Sequence, residues 1–203
     1  MTLDLGQPAS GPPAVFEGDL ILASRTGDVV RLAKLPQGWV ARSGTMEIQV
    51  GEDRDDVAEV SFNGWYTRLD ATPEGGPLVG RGTVVLSLGP DGLVAIAART
   101  GDLLWRVADI GRPLAIVGDR VWCHDASGFL TARDLATGVR RGRLCPGCFT
   151  LPVINAASDR LVLASPGGLV VSLADRQTRP AEPPQPPRPQ PPLPPDADQR
   201  PAD

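Results

Sequence analysis

The chain has 203 residues, 41% of them apolar and 22% charged, with a formal net charge of -4 and a pI near 5.0. A chain of this length can bury a substantial core in one domain, and the acidic balance argues against nucleic acid as the main partner, because phosphate binding needs a basic face. No run approaches the roughly 18 apolar residues of a membrane helix, so membrane insertion is not expected.

Met1 to Gln7 carries neither the basic region nor the apolar stretch of a signal peptide. Taken as it stands, the chain is expected in the cytoplasm; as a piece of a longer exported protein, it is expected in the periplasm. The first readable pattern is an apolar run at Leu20 to Ser24, a glycine at Gly27 and a second run at Val29 to Leu32. Two short runs around a glycine turn read as a β-hairpin. Trp39 to Ala41, Met46 to Val50 and Glu59 to Leu69 then alternate as strands do, and the segment is expected to be one degenerate unit spanning about residues 38–71. Gly51-Glu-Asp-Arg-Asp-Asp56 lies inside it. This carboxylate cluster lacks the spacing of a known calcium loop and reads as a solvated turn.

From Pro77 to Ala174 one pattern is written three times. Thr83, Asp119 and Asp159 open apolar runs at Val84 to Leu88, Val121 to Cys123 and Leu161 to Ala164. Nine residues after each opening residue, Gly92, Gly128 and Gly168 precede a second run, at Leu93 to Ala97, Phe129 to Ala132 and Leu169 to Leu173. The glycines are 36 and then 40 residues apart, a period that signals a stacked or circular array of one supersecondary unit. Such a unit cannot bury its own apolar face and needs neighbours. No window carries a helical stripe, and glycines interrupt every run, which leaves a β-propeller of four-stranded blades. Gly27 and Gly92 are 65 residues apart, close to two periods, which fits a degenerate unit between them.

After Ala174 the composition changes. Residues 175–203 alternate Pro with Gln, Glu, Arg and Asp, too few apolar groups to offset the entropy of folding, and a disordered, extended, proline-rich tail is expected. Within it Arg188 to Pro194 matches the pattern that SH3-type grooves read. A plain spacer is the simpler reading.

One stretch carries a family resemblance. Ala95-Ile-Ala-Ala-Arg-Thr100-Gly101-Asp-Leu-Leu-Trp105 resembles the blade motif of the pyrroloquinoline-quinone (PQQ) type propellers, in which Ala, an aspartate two residues on, Thr-Gly and Trp close one blade. The next copy, Ala132-Arg-Asp134-Leu-Ala-Thr137-Gly138, keeps the aspartate that Ala97 replaces in the first, but has Gly142 where the tryptophan would stand. The third copy, with Ala174 and Thr178 at the aspartate and glycine positions, keeps neither. The resemblance implies that the Thr-Gly turn joins the third strand of a blade to the fourth, and that Trp105 packs between blades. It also implies a choice of function. Quinone-dependent dehydrogenases of this kind hold PQQ and calcium at the centre of a complete ring, with an adjacent cysteine pair, a glutamate, an asparagine and an aspartate, whereas non-enzymatic relatives use the blades as platforms for protein partners.

The residues themselves carry little catalytic signal. Cys145-Pro-Gly-Cys148 has the spacing of a zinc chelate or a redox pair. Two further zinc ligands would have to come from Cys123 and His124, which as strand neighbours point to opposite faces, and no helix follows the pair as a redox role requires. A loop disulfide or idle thiols are the plainer alternatives. His124 is the only histidine, and Asp125 and Ser127 lie too close in sequence to converge on it as a triad. Of Trp39, Trp65, Trp105 and Trp122, only Trp105 has an assignable place.

These readings predict an all-β, propeller-like array of about four to five four-stranded blades over residues 1–174, forming an incomplete ring, followed by the tail. The expected function is a non-catalytic scaffold for protein partners, with no cofactor and with self-association through open blade edges. The alternative is a degenerate fragment of a PQQ-dependent dehydrogenase.

Overall fold

Each glycine turn of the repeat joins two antiparallel strands, and the computed structural model, which describes residues 8–35, 38–40, 42–49, 57–109 and 111–175, extends these hairpins into sheets. In the first, β1 (Ala14–Phe16), β2 (Asp19–Ala23) and β3 (Asp28–Leu35) follow one another in order. The outer edge of β3 is then shared. Its second half pairs with β4 (Gly38–Val40); after a hairpin of β5 (Ser43–Gln49) and β6 (Val57–Asn63), its first half pairs with β7 (Trp65–Arg68). β4 and β7 thus complete the first sheet, with the β5–β6 hairpin between them in sequence, because β3, eight residues long, offers two successive pairing segments.

The second sheet is β8 (Glu74–Gly80), β9 (Thr83–Ser87), β10 (Leu93–Ala97) and β11 (Leu103–Val107). The third repeats the order with β12 (Gly111–Val117), β13 (Arg120–Asp125), β14 (Leu130–Asp134) and β15 (Arg140–Leu144). The fourth has three strands among the described residues, β16 (Leu151–Pro152), β17 (Leu161–Ala164) and β18 (Val170–Leu173). Inner strands of consecutive sheets lie side by side, β1 on β8 and β8 on β12, while β12 meets the fourth sheet through the Asn155 N–H, which donates to the Leu114 carbonyl at 2.7 Å. The result is four blades set around an axis. Among the described residues no packing of comparable extent joins the fourth blade to the first.

Because side chains alternate across a strand, a blade held between two others must be apolar on both faces. Val84, Leu86, Val94 and Ile96 of the second blade pack towards the first, whereas Val85, Leu93 and Ala95 pack towards the third. A third layer, with Leu114, Leu130, Leu161 and Leu163, joins the third blade to the fourth.

Two tryptophans pin consecutive blades. Trp105, on β11, is 7% exposed and donates its indole N–H to the Leu135 carbonyl of the third blade at 2.8 Å. Its ring lies against Gly138, whose φ of +72° is a left-handed conformation and where a Cβ would come within 2.7 Å of the indole. Trp65, on β7, repeats the arrangement one blade earlier: it donates to the Ala98 carbonyl at 2.9 Å and covers Gly101, with a φ of +81°. The Thr-Gly turn thus uses glycine twice over, for its backbone conformation and for the room it leaves a neighbouring indole. In the third blade Gly142 occupies the tryptophan position opposite Ala132, and a Cβ there would meet open space.

The aspartate of the motif stiffens this turn. Oδ1 of Asp134 accepts from the Ala136 and Thr137 N–H groups and from the Thr137 hydroxyl, while Oδ2 pairs with Arg141 at 2.9 Å. Arg141 first, then Thr137, hold the Asp134 carboxyl below its ordinary value. Where Ala97 replaces the aspartate, the Thr100 hydroxyl donates to Asp102 instead, at 2.6 Å, and the Gly101 N–H still reaches the Ala97 carbonyl.

Trp105→Ala and Trp65→Ala are each expected to destabilise the fold by about 3–5 kcal/mol, read as a lower denaturant midpoint; a loss under about 1 kcal/mol would remove the pinning role. A carboxyl depressed in the folded state stabilises above its ordinary pKa of about 3.9 and loses that contribution as pH falls through the folded value. Thermal midpoints measured across that acid window should therefore fall less steeply for Asp134→Asn than for the parent chain.

Candidate functional site

The innermost strands bring glycine and proline to the axis. Gly11 and Pro12 before β1, Gly75 to Pro77 in β8, and Ala156 and Ala157 of the fourth blade line a cavity of about 570 Å³. The backbones approach closely here: a Cβ on Gly11 would overlap the Gly76 nitrogen. Ser10 ties the wall together, donating to the Ala23 and Gly75 carbonyls at 3.0 and 2.8 Å. Arg112 is the one charged side chain that lines the cavity among the described residues.

This donor set does not fit a quinone held with calcium. Calcium requires several oxygen ligands, usually including carboxylates, and no carboxylate lines the cavity. The nearby Asn155 side chain is already engaged, its amide nitrogen donating at 2.7 Å to the Ser158 hydroxyl and the Arg160 carbonyl. No adjacent cysteine pair exists in the chain.

Cys123 is buried between the second and third blades, and burial pushes its thiol up to about 12. Cys145 and Cys148 are exposed free thiols on the loop after β15. Among the described residues no group of three or more His, Cys, Asp or Glu side chains is placed to hold a metal. His124 is half-buried on β13, opposite Arg112. Asp125 is engaged elsewhere: it accepts from the Ser127 and Phe129 N–H groups at 2.9 Å and pairs with Arg143 at 3.3 Å. It closes the β13–β14 turn and does not orient the histidine.

A second cavity, of about 380 Å³, lies between the second and third blades. Arg133, Arg140 and Arg143 line it together with Asp109, Asp125 and Thr131. Sequence reasoning passed over these arginines because they are scattered along two strands; the signal present was Arg140-Arg-Gly-Arg143 beside the arginine of the Ala132-Arg-Asp134 motif. Of the tryptophans, Trp122 packs against the layer between blades three and four, and Trp39 is half-buried on β4. Trp65 precedes Trp105 by 40 residues, one repeat length, a spacing that could have placed it. The acidic loop at 51–56 and the SH3-type pattern at 188–194 lie outside the described residues.

A family model described as outer membrane protein assembly factor BamB matches residues 2–144. The structure is similar to BamB from Moraxella catarrhalis, with a TM-score of 0.52 and 16% identity over 83% of this chain and 47% of that one. It is also similar to the computationally designed Ika4 protein, with a TM-score of 0.52 and 11% identity over 83% of this chain and 91% of that one. A europium-containing methanol dehydrogenase aligns at a TM-score of 0.45 and 16% identity, over 64% of this chain and 23% of that one. The chain thus spans about half the length of the Moraxella protein. No curated protein sequence matches it significantly.

Proposed function

The chain belongs to the BamB family of PQQ-type propellers, and from that premise we propose that it is a non-catalytic scaffold on which a protein partner docks. The observation that carries this reading is the composition of the axial cavity. A quinone enzyme needs carboxylate and amide oxygens at the axis, and this cavity presents glycine, proline and aliphatic side chains with the Ser10 hydroxyl and a single guanidinium. The polar residues nearest to a catalytic grouping, Asp125 and Asn155, are committed to turns.

The open end of the array supplies contact surface. Leu169, Val170 and Leu173 are exposed on or beside β18, with Val170 at 63% exposure, and no described strand pairs with the outer edge of β18. Unpaired edges with apolar neighbours associate readily, so self-association through this blade is part of the proposal. The family is described as an outer membrane protein assembly factor, which supports the periplasm as the proposed compartment. No helix among the described residues is long and apolar enough to cross a membrane.

Titration of the full chain with PQQ and calcium is expected to leave the quinone absorbance unchanged; a saturable shift would replace the scaffold reading with a cofactor site. In sedimentation velocity, Val170→Lys should shift any self-associated species towards monomer, and an unchanged distribution would acquit the β18 edge.

A further inference from the structure

The third blade carries a charge where the first and second carry a hydrocarbon. Arg31, Ala95 and Ala132 are equivalent, each facing the tryptophan position of the fourth strand, which makes Leu32, Ile96 and Arg133 equivalent as well. Leu32 and Ile96 are buried aliphatic residues. Arg133 is buried too, with its side chain 4% exposed. One nitrogen donates to the Gly138 carbonyl at 2.8 Å and another to Asp109, but Nε has no partner among the described residues. Asp109 is 59% exposed, so it is a solvated counterion that compensates poorly for the desolvation of a guanidinium. Two equivalent sites fold with leucine and isoleucine, and packing therefore does not require this arginine.

The surroundings add charge. Arg140 stands opposite Arg133 on β15 and forms no ion pair among the described residues. Arg143 stands opposite Thr131, stacks 3.7 Å from the centroid of the Phe129 ring and pairs with Asp125 at 3.3 Å. The cavity wall thus holds three guanidinium groups against two carboxylates, and the planar donor fork of arginine matches a carboxylate. β15 is also the edge of its sheet, with all five residues exposed. An extended segment laid along that edge gains main-chain hydrogen bonds and turns alternate side chains towards one face.

We propose that this cavity and the free edge of β15 form a docking site for an extended acidic segment of a partner protein, whose carboxylates are read by Arg140, Arg143 and Arg133. This rests on the scaffold reading and names the chemistry of the partner.

Fluorescence anisotropy of the full chain with a labelled peptide of alternating Glu and Val is the test. The peptide should bind, weaken with added salt, and bind the Arg140→Glu, Arg143→Glu double variant at least about tenfold less tightly. A peptide of alternating Glu and Pro, which lacks half of the backbone donors, should also bind more weakly. Arg133→Ile restores the residue type of the second blade; it should keep or raise the thermal midpoint and still lose peptide affinity, a combination that a purely structural arginine does not produce. Equal binding of a Lys and Val peptide, or parent affinity in the double variant, would overturn the proposal. Displacement by free glutarate or inorganic phosphate as effective as by unlabelled peptide would overturn it too, assigning the cavity to small oxyanions. Absence of peptide binding together with absence of quinone uptake removes this site alone, whereas quinone uptake removes the scaffold reading itself.

Discussion

Every blade depends on a neighbour to cover it. A four-stranded sheet with apolar residues on both faces has no interior of its own, and Val84 to Leu86 and Val94 to Ile96 are buried only because the first and third blades lie against them. The tryptophan clamps express the same constraint at higher resolution. Trp65 and Trp105 each leave one blade to bond a carbonyl and fill the space over a glycine in the next, so an indole on one blade is matched to a turn about 35 residues further on. Where the clamp is lost, at Gly142, the outer strand of the third blade stands exposed.

Most of the polar side chains are occupied in holding turns and edges. Asp28 accepts from Tyr66 at 2.5 Å and from Arg68 at 2.6 Å, and these donors, Tyr66 foremost, hold its carboxyl below the ordinary range. That network fastens β7 to β3, which is how the first blade keeps its fourth strand after the inserted hairpin. Arg31, nearly buried, pairs with Asp19 and donates to the same Ala98 carbonyl that Trp65 uses. These groups are structural because their hydrogen-bonding capacity is already satisfied. Arg133 and Arg140 stand out against them as charge without a full set of partners.

The repeat itself was legible in the primary structure. Alternation of apolar runs around Gly92, Gly128 and Gly168 is a local property of the chain, set by the period of a strand and by the conformational needs of a turn, and the observed hairpins fall where it places them. The Thr-Gly motif was legible for the same reason, since its contacts span only a few residues. Tertiary structure decided the rest. Whether Trp65 opens a new unit or closes an old one depends on which strand pairs with the first half of β3, a choice made across more than 30 residues of intervening chain. Whether an arginine in a strand faces solvent or lies beneath the neighbouring blade depends on how the sheets stack, because strand alternation assigns a side chain to a face but not what covers that face.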